Sequence, residues 1–401
     1  TSKTSKNSKK HIKENLDNIM LNPWFAYPIF FAIMALMFQV TFSWIGQPLS
    51  DLLDSLLNDS LVPIIEGWIN NYSPWFQSLI LDGIVGGVGG ILVLLPVILS
   101  LFACITILED SGYMARVAFL MDKIMRKMGL SGKAFIPMIV GFGCSVPAIM
   151  SARTLESEKD RKLTALLVPL MSCNARLPVY SIFALVFFPK HMGIVVASLY
   201  FLGIILAFIL GIIFKHLIFK NEEEPLLIEL PEYKLPSLKN LFVQLYEKSK
   251  NFLIKAGTLI FAMSIILWFL SNFNFSGMTD VNDSILASIG GFIAPIFKPL
   301  GFGNWQSSVS LLTGLIAKET VVSSMGVIFA GNLEVMLPLH FTALSALSFM
   351  VFILLYTPCI TAVGTMKKEF GTKITLFSIT YQLILAWSIS FLVFNIGSLF
   401  F

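Results

Sequence analysis

Four segments of this sequence set thiols or charges beside residues that break helices. "GFGCSVPAIMSARTLESEKDR" puts Cys144 after two glycines and before Pro147, and then ends in dense charge. "LVPLMSCNARLPVY" carries Cys173, Asn174 and Arg176, "YTPCITA" sets Cys359 beside Pro358, and "GLIAKET" joins Lys318 to Glu319. Glycine and proline each cost roughly 1 to 3 kcal/mol in a helix interior relative to alanine, so these apolar runs read as interrupted helices. Cysteine with carboxylate, and with Met150 and Met171 in the neighbourhood, is a mixed soft and hard donor set. It suits a divalent transition metal better than magnesium or an alkali ion. The candidate metal-contacting residues are Cys144 and Cys359, then Cys173, Glu109, Asp110 and Glu319. Two plainer readings stand beside them: Glu109 and Asp110 as an interfacial helix end, and Lys318 with Glu319 as a self-neutralising pair. Cys104, in an unbroken apolar run, reads as a core residue.

Other chemistry has little support. The four histidines, at positions 11, 191, 216 and 340, form no HExxH, which argues against a zinc protease. "GLSGKAF" resembles part of a phosphate loop, but Lys127 stands where the first glycine belongs and Ala134 replaces the hydroxyl, so no nucleotide site is expected. The net charge of +4 gives no case for a nucleic-acid partner. Four cysteines in 401 residues do not make the dense framework of a small secreted domain. Free thiols are expected.

The elements that must position these residues are set by the solvent. A chain that is 56% hydrophobic and 13% charged cannot fold as one soluble globule without exposing oil. Runs long enough to cross a hydrocarbon core of about 30 Å lie at 23–50, 83–108, 193–214, 256–279, 341–366 and 374–401. Trp24 and Trp44 mark the two interfaces of the first run. Lys3, Lys6, Lys9, Lys10 and Lys13 precede that run, and only acids follow it before the next; the positive-inside rule therefore puts the N-terminus in the cytoplasm. Arg116, Lys123, Arg126, Lys127 and Lys133 return to the same side after the second run. If residues 134–152 crossed the bilayer, Arg153, Lys159, Arg161 and Lys162 would lie outside. A re-entrant hairpin keeps them inside, and irregular backbone at that depth implies a pathway lined by protein. Charge also argues for the cytoplasm at the turn with Lys367, Lys368 and Lys373, which would leave the C-terminus outside; the side of the C-terminus is left open. Ferrous iron, near the weak end of the divalent affinity series, could bind in such a pathway and leave it again. Binding is expected to be coupled to protonation, since the thiolate is the competent ligand.

Pro225, Pro231 and Pro236 among five glutamates form an aqueous elbow, followed by an amphipathic helix or solvated linker from Ser237 to Lys255. The halves on either side echo one another. Glu109 precedes "GCSVPA" in one, and Glu319 precedes "TPCITA" in the other. Paired interruptions of this kind point to a transporter's midplane site. The resulting division is a linker at 1–22, a first helix with an extracytoplasmic amphipathic segment at 23–72, repeats at 73–220 and 251–401, and the elbow at 221–250.

In order along the chain, "LEDSGYMARVAFLMDKIM", "FIPMIVGFGCSVPAIMSARTLESEKDRKLTALLVPLMSCNARLPVY", "LPEYKLPSLKN", "GLIAKETVV" and "YTPCITAVGTMKKEFG" resemble the membrane domain of ferrous-iron transport protein B, from about Leu16 to the C-terminus. The resemblance implies an all-α polytopic membrane protein with two gate-type repeats, broken or re-entrant helices and roughly eight to ten membrane segments. It implies uptake of Fe2+ as the transported ion across the bacterial inner membrane. Cys144 and Cys359 match the family's proposed ligands, and Cys173, Glu109 and Asp110 are secondary. A GTP-binding domain, in cis or in trans, and a small soluble accessory protein are implied as partners beside the lipid bilayer; a homo-oligomer is left open. The opening "TSKTSKNSKK" resembles the end of a linker, so this stretch by itself is expected to show no GTPase activity. The alternatives are a gate-domain carrier of nucleosides or another small solute, a membrane enzyme with Cys144 as nucleophile, and a sporulation-type gate protein with a signalling role.

Overall fold

The structure, a computed structural model, describes residues 23–217, 237–274, 277–279, 281–329 and 333–400. The basic N-terminal tail and the proline elbow up to Pro236 lie outside the described residues. Everything described is helical apart from turns and a two-residue hairpin pairing Phe273–Asn274 with Gly277–Met278. Five helical stretches are long and apolar enough to cross a membrane, or up to seven if each of two sharply bent pairs is counted as one span. This is a multi-pass, all-α membrane protein.

The N-terminal stretch comprises α1 (Pro23–Phe38), α2 (Gly46–Leu56) and α3 (Val62–Ile69), joined by widened turns. Trp24, Phe31, Trp44 and Trp68 are exposed along it, as a lipid-facing helix would have them. Its inner side rests on α4 (Gly86–Asp110), where the Ser50 hydroxyl donates to the Val93 carbonyl at 2.6 Å. Satisfying that hydroxyl on a backbone oxygen lets α2 pack closely without a bare polar group.

After α4 come α5 (Tyr113–Lys127), α6 (Phe135–Gly143), α7 (Ser145–Ala152), α8 (Glu158–Leu167), α9 (Leu177–Phe187) and α10 (Met192–Leu217). The second half runs through α11 (Leu238–Phe252), α12 (Thr258–Asn272), α13 (Ile285–Phe297), α14 (Trp305–Thr313), α15 (Thr320–Ile328), α16 (Leu333–His340), α17 (Ala343–Leu355) and α18 (Ile360–Phe400). α11 is the helix expected after Ser237. It turns Phe242, Val243 and Tyr246 outward, as an amphipathic helix at a membrane surface would.

Two expected spans are divided differently. The run 341–366 is cut at 356–359, where α17 ends and α18 begins, because Pro358 cannot donate to a helical carbonyl. The lysine-bearing turn at 367–373 does not separate two spans by a loop; it is a bend within α18 at Gly371, whose φ of 83° suits a residue without Cβ. The run 256–279 likewise ends as helix at Asn272 and closes in the small hairpin.

Each half holds two breaks. In the first half they lie at Cys144, between α6 and α7, and at 168–176, after α8; in the second they lie at 314–319, between α14 and α15, and at 356–359, between α17 and α18.

α17 is largely apolar and is buried from Ser345 to Leu355 except at the partly buried Leu347, the mark of a central helix. Phe349 on α17 touches Phe183 of α9 and Phe302, and Phe183 also meets Phe341 edge-on. This aromatic group joins the halves just beyond the breaks.

Candidate metal pathway at the four breaks

Cys144 is the one extended residue between α6 and α7, with φ −153° and ψ 130°. Its N–H donates to the Val140 carbonyl at 3.0 Å and its own carbonyl accepts from Ala148 at 3.4 Å. The break therefore leaves the backbone of Cys144 satisfied while turning its side chain out of the helical row. Gly143 makes the position possible: a Cβ there would lie 2.8 Å from the Leu101 side chain.

Cys173 lies between the single turns Val168–Leu170 and Asn174–Arg176, again in extended backbone. Pro169 and Pro178 stand at helix starts, where their missing N–H costs nothing. The carbonyls freed by this break are taken by Arg176, which is fully buried. Its guanidinium donates to Pro169 O at 3.3 Å and Met171 O at 3.2 Å. The neighbouring Ser172 hydroxyl donates to Tyr180 at 3.2 Å.

The other two breaks are stitched to each other. The N–H of Ile360, the first residue of α18, donates to Leu315 O at 2.7 Å, and Lys318 Nζ donates to Thr357 O at 2.7 Å. Lys318, 2% exposed, also lies over the Tyr356 ring, 3.1 Å from its centroid. Among the described residues no ion pair joins it to Glu319, so the self-neutralising pair does not form.

Of the expected site residues, Cys144, Cys173, Cys359 and Glu319 all sit at the four breaks: Cys144 between α6 and α7, Cys173 within 168–176, Glu319 at the start of α15 and Cys359 just before α18. Their charges bear on one another across these breaks. All the cysteines are free and half-buried. Among the described residues, no three His, Cys, Asp or Glu side chains converge tightly enough to cage a metal ion. Glu109 and Asp110, at the end of α4, line a separate cleft of about 700 Å³ with Lys133, Arg153 and Glu247. Its floor reaches Pro147 and Met150 on α7. Cys104 accepts a hydrogen bond from Thr41 at 3.8 Å, as a core thiol would. Nothing in the residue types showed that Lys318 and Arg176 would both be buried on carbonyls beside the thiols. The available signal was their isolation in apolar runs, where a charge implies a cavity or a partner.

Residues 91–187 and 253–373 match the Gate family, described as nucleoside recognition, and so fall one on each half of the fold. Residues 196–248 match the family described as the C terminus of ferrous iron transport protein B. The chain belongs to the ferrous iron transport protein B family. A relative named Fe(2+) transporter FeoB, from Staphylococcus aureus strain MSSA476, is 46% identical over 98% of this chain and 60% of its own length. Another of that name, from Methanocaldococcus jannaschii, is 40% identical over 97% of the chain and 59% of its own length. A relative from Porphyromonas gingivalis, named a fusion of Fe(2+) transport protein A with Fe(2+) transporter FeoB, is 39% identical over the whole chain and 53% of its own length. The chain thus spans about 60% or less of the family relatives it matches. No solved structure matches it.

Proposed function

We propose that this chain carries ferrous iron across the bacterial inner membrane, along a passage lined by Cys144, Cys173, Cys359 and Glu319. The supporting observation is that four interrupted segments, two from each half, bring these soft and acidic donors into electrostatic range inside a membrane protein. Interruptions in corresponding places of two repeats are where transporters build their sites. An open arrangement of three thiols and one carboxylate suits an ion that must bind and leave, and ferrous iron lies low in the divalent affinity order. The relatives named Fe(2+) transporter supply the identity of the ion. In this reading the chain is a transporter and not an enzyme, its N-terminus is cytoplasmic, and a GTP-binding domain regulates it. A small soluble partner also acts on it, a role to which the fused relative lends support.

The test is uptake of Fe2+ by vesicles containing the purified protein. Uptake is expected in the wild type and is expected to fall in Cys144→Ser and Cys359→Ser without loss of fold. Nucleoside uptake that persists with every cysteine replaced, and no Fe2+ uptake, would favour the solute carrier suggested by the Gate description.

A further inference from the structure

The breaks in this fold expose backbone carbonyls at the ends of half-helices, and one buried side-chain cation covers them in each half. In the first half, α8 ends at Leu167, and Arg176, fully buried, takes the Pro169 and Met171 carbonyls just beyond. In the second half, α17 ends at Leu355, and Lys318 takes the Thr357 carbonyl just beyond and caps the Tyr356 ring. In each half the cation covers carbonyls that follow the end of a helix. Lys318 lies near enough to Arg176, Cys173 and Cys359 for their charges to bear on it. Unwound carbonyls at a half-helix C-terminus carry partial negative charge, and in broken-helix transporters such groups coordinate the coupling sodium ion.

Lys318 arrives from a different break than the one it binds, across 39 residues of chain, so the contact is not local capping. An ammonium has three donors, yet here it meets one carbonyl and one ring face. Beside that carbonyl the Thr357 hydroxyl, 6% exposed as a residue, has no hydrogen-bond partner among the described residues. Around the ammonium there are therefore two hard oxygen acceptors, a carbonyl and a hydroxyl, with an aromatic face that also attracts cations, a set that would receive a small monovalent cation if the lysine were absent.

We propose that Lys318 is a resident cation standing where broken-helix transporters bind a coupling sodium ion, so that metal movement through this chain is independent of sodium. The transport arm of the test rests on the ferrous-iron reading; the binding arm does not. With Lys318 holding the Thr357 carbonyl and its charge repelling a second cation there, the thiols and Glu319 are the donors left to a passing ion.

The full chain is assayed in vesicles for Fe2+ uptake with sodium, potassium or N-methylglucamine as the sole monovalent cation. In parallel, its thermal unfolding in detergent is followed in the same salts. For the wild type both readouts are expected to be the same in all three. Lys318→Ala is expected to lose uptake about ten-fold in N-methylglucamine, because the Thr357 carbonyl is then left buried without its donor. It should recover with methylammonium and show an unfolding temperature that rises with methylammonium or sodium, because a ligand that binds only the folded state stabilises it. Lys318→Arg is expected to need neither. Sodium-dependent uptake by the wild type, or a wild-type unfolding temperature raised by sodium, overturns the proposal. So does a folded Lys318→Ala that ignores both cations. Should that variant not fold, the wild-type salt series decides alone. A wild type that takes up no Fe2+ in any salt defeats the ferrous-iron reading only, and the thermal series then settles the resident cation.

Discussion

The backbone N–H of Ile360 donates to the carbonyl of Leu315 at 2.7 Å, fastening the start of α18 to the loop between α14 and α15. Forty-five residues of chain separate the two, yet this bond and the Lys318 contact with Thr357 make one unit of two breaks. Cys359 and Glu319 therefore share a frame. A shift of either break would carry both donors with it.

The thiols are the first place to test that frame. Cys144→Ser, Cys173→Ser and Cys359→Ser should each lower Fe2+ uptake about ten-fold, equivalent to about 1.4 kcal/mol. The half-buried positions tolerate an isosteric hydroxyl, so the cost in stability should stay near 1 kcal/mol. Vesicle uptake and thermal unfolding report the two effects separately, and three variants with wild-type uptake would remove the thiols from the passage.

Two acidic positions that look alike in sequence should behave differently. Glu319 stands at the break before α15, whereas Glu109 and Asp110 line the cleft beside α11. Glu319→Gln is expected to impair uptake more than the double change Glu109→Gln with Asp110→Asn. The reverse order in an uptake assay would move the acidic step from the breaks to the cleft.

Gly203 on α10 tests how closely that helix must approach the break at 168–176. A Cβ there would sit 2.6 Å from the carbonyl oxygen of Leu170, and backbone cannot swing aside as a side chain can. Gly203→Ala should cost about 1–3 kcal/mol as overpacking, read as a lower unfolding temperature. An unchanged midpoint would show that α10 can retreat from 168–170 freely.

One ion pair allows the proposed sidedness to be tested. Arg153 reaches Glu369 at 3.4 Å, so the charged end of α7 and the lysine-bearing bend of α18 share a face, which the positive-inside rule assigns to the cytoplasm. From Gly371 to Phe400 the chain rises about 43 Å at 1.5 Å per residue, more than a hydrocarbon core. In a cysteine-free chain, a thiol placed by Lys367→Cys should be labelled from the cytoplasm and one placed by Ser398→Cys from outside. Labelling of both from one side contradicts the orientation.

Composition and order along the chain settled the solvent, the all-helical class and the places where helices must stop. Those are local sums and local sterics. Apolar residues over a window set transfer into lipid, and Pro147, Pro169 and Pro358 withdraw a backbone donor wherever they occur. That Cys144, Cys173, Cys359 and Glu319 would lie at helix breaks was legible for the same reason, each being an odd residue at such a stop. Tertiary structure alone decided that Lys318 would leave Glu319 for the Thr357 carbonyl, and that Glu109 and Asp110 would face a different cleft. A buried charge goes to whichever acceptor packing brings within reach, and that neighbour comes from a distant part of the chain.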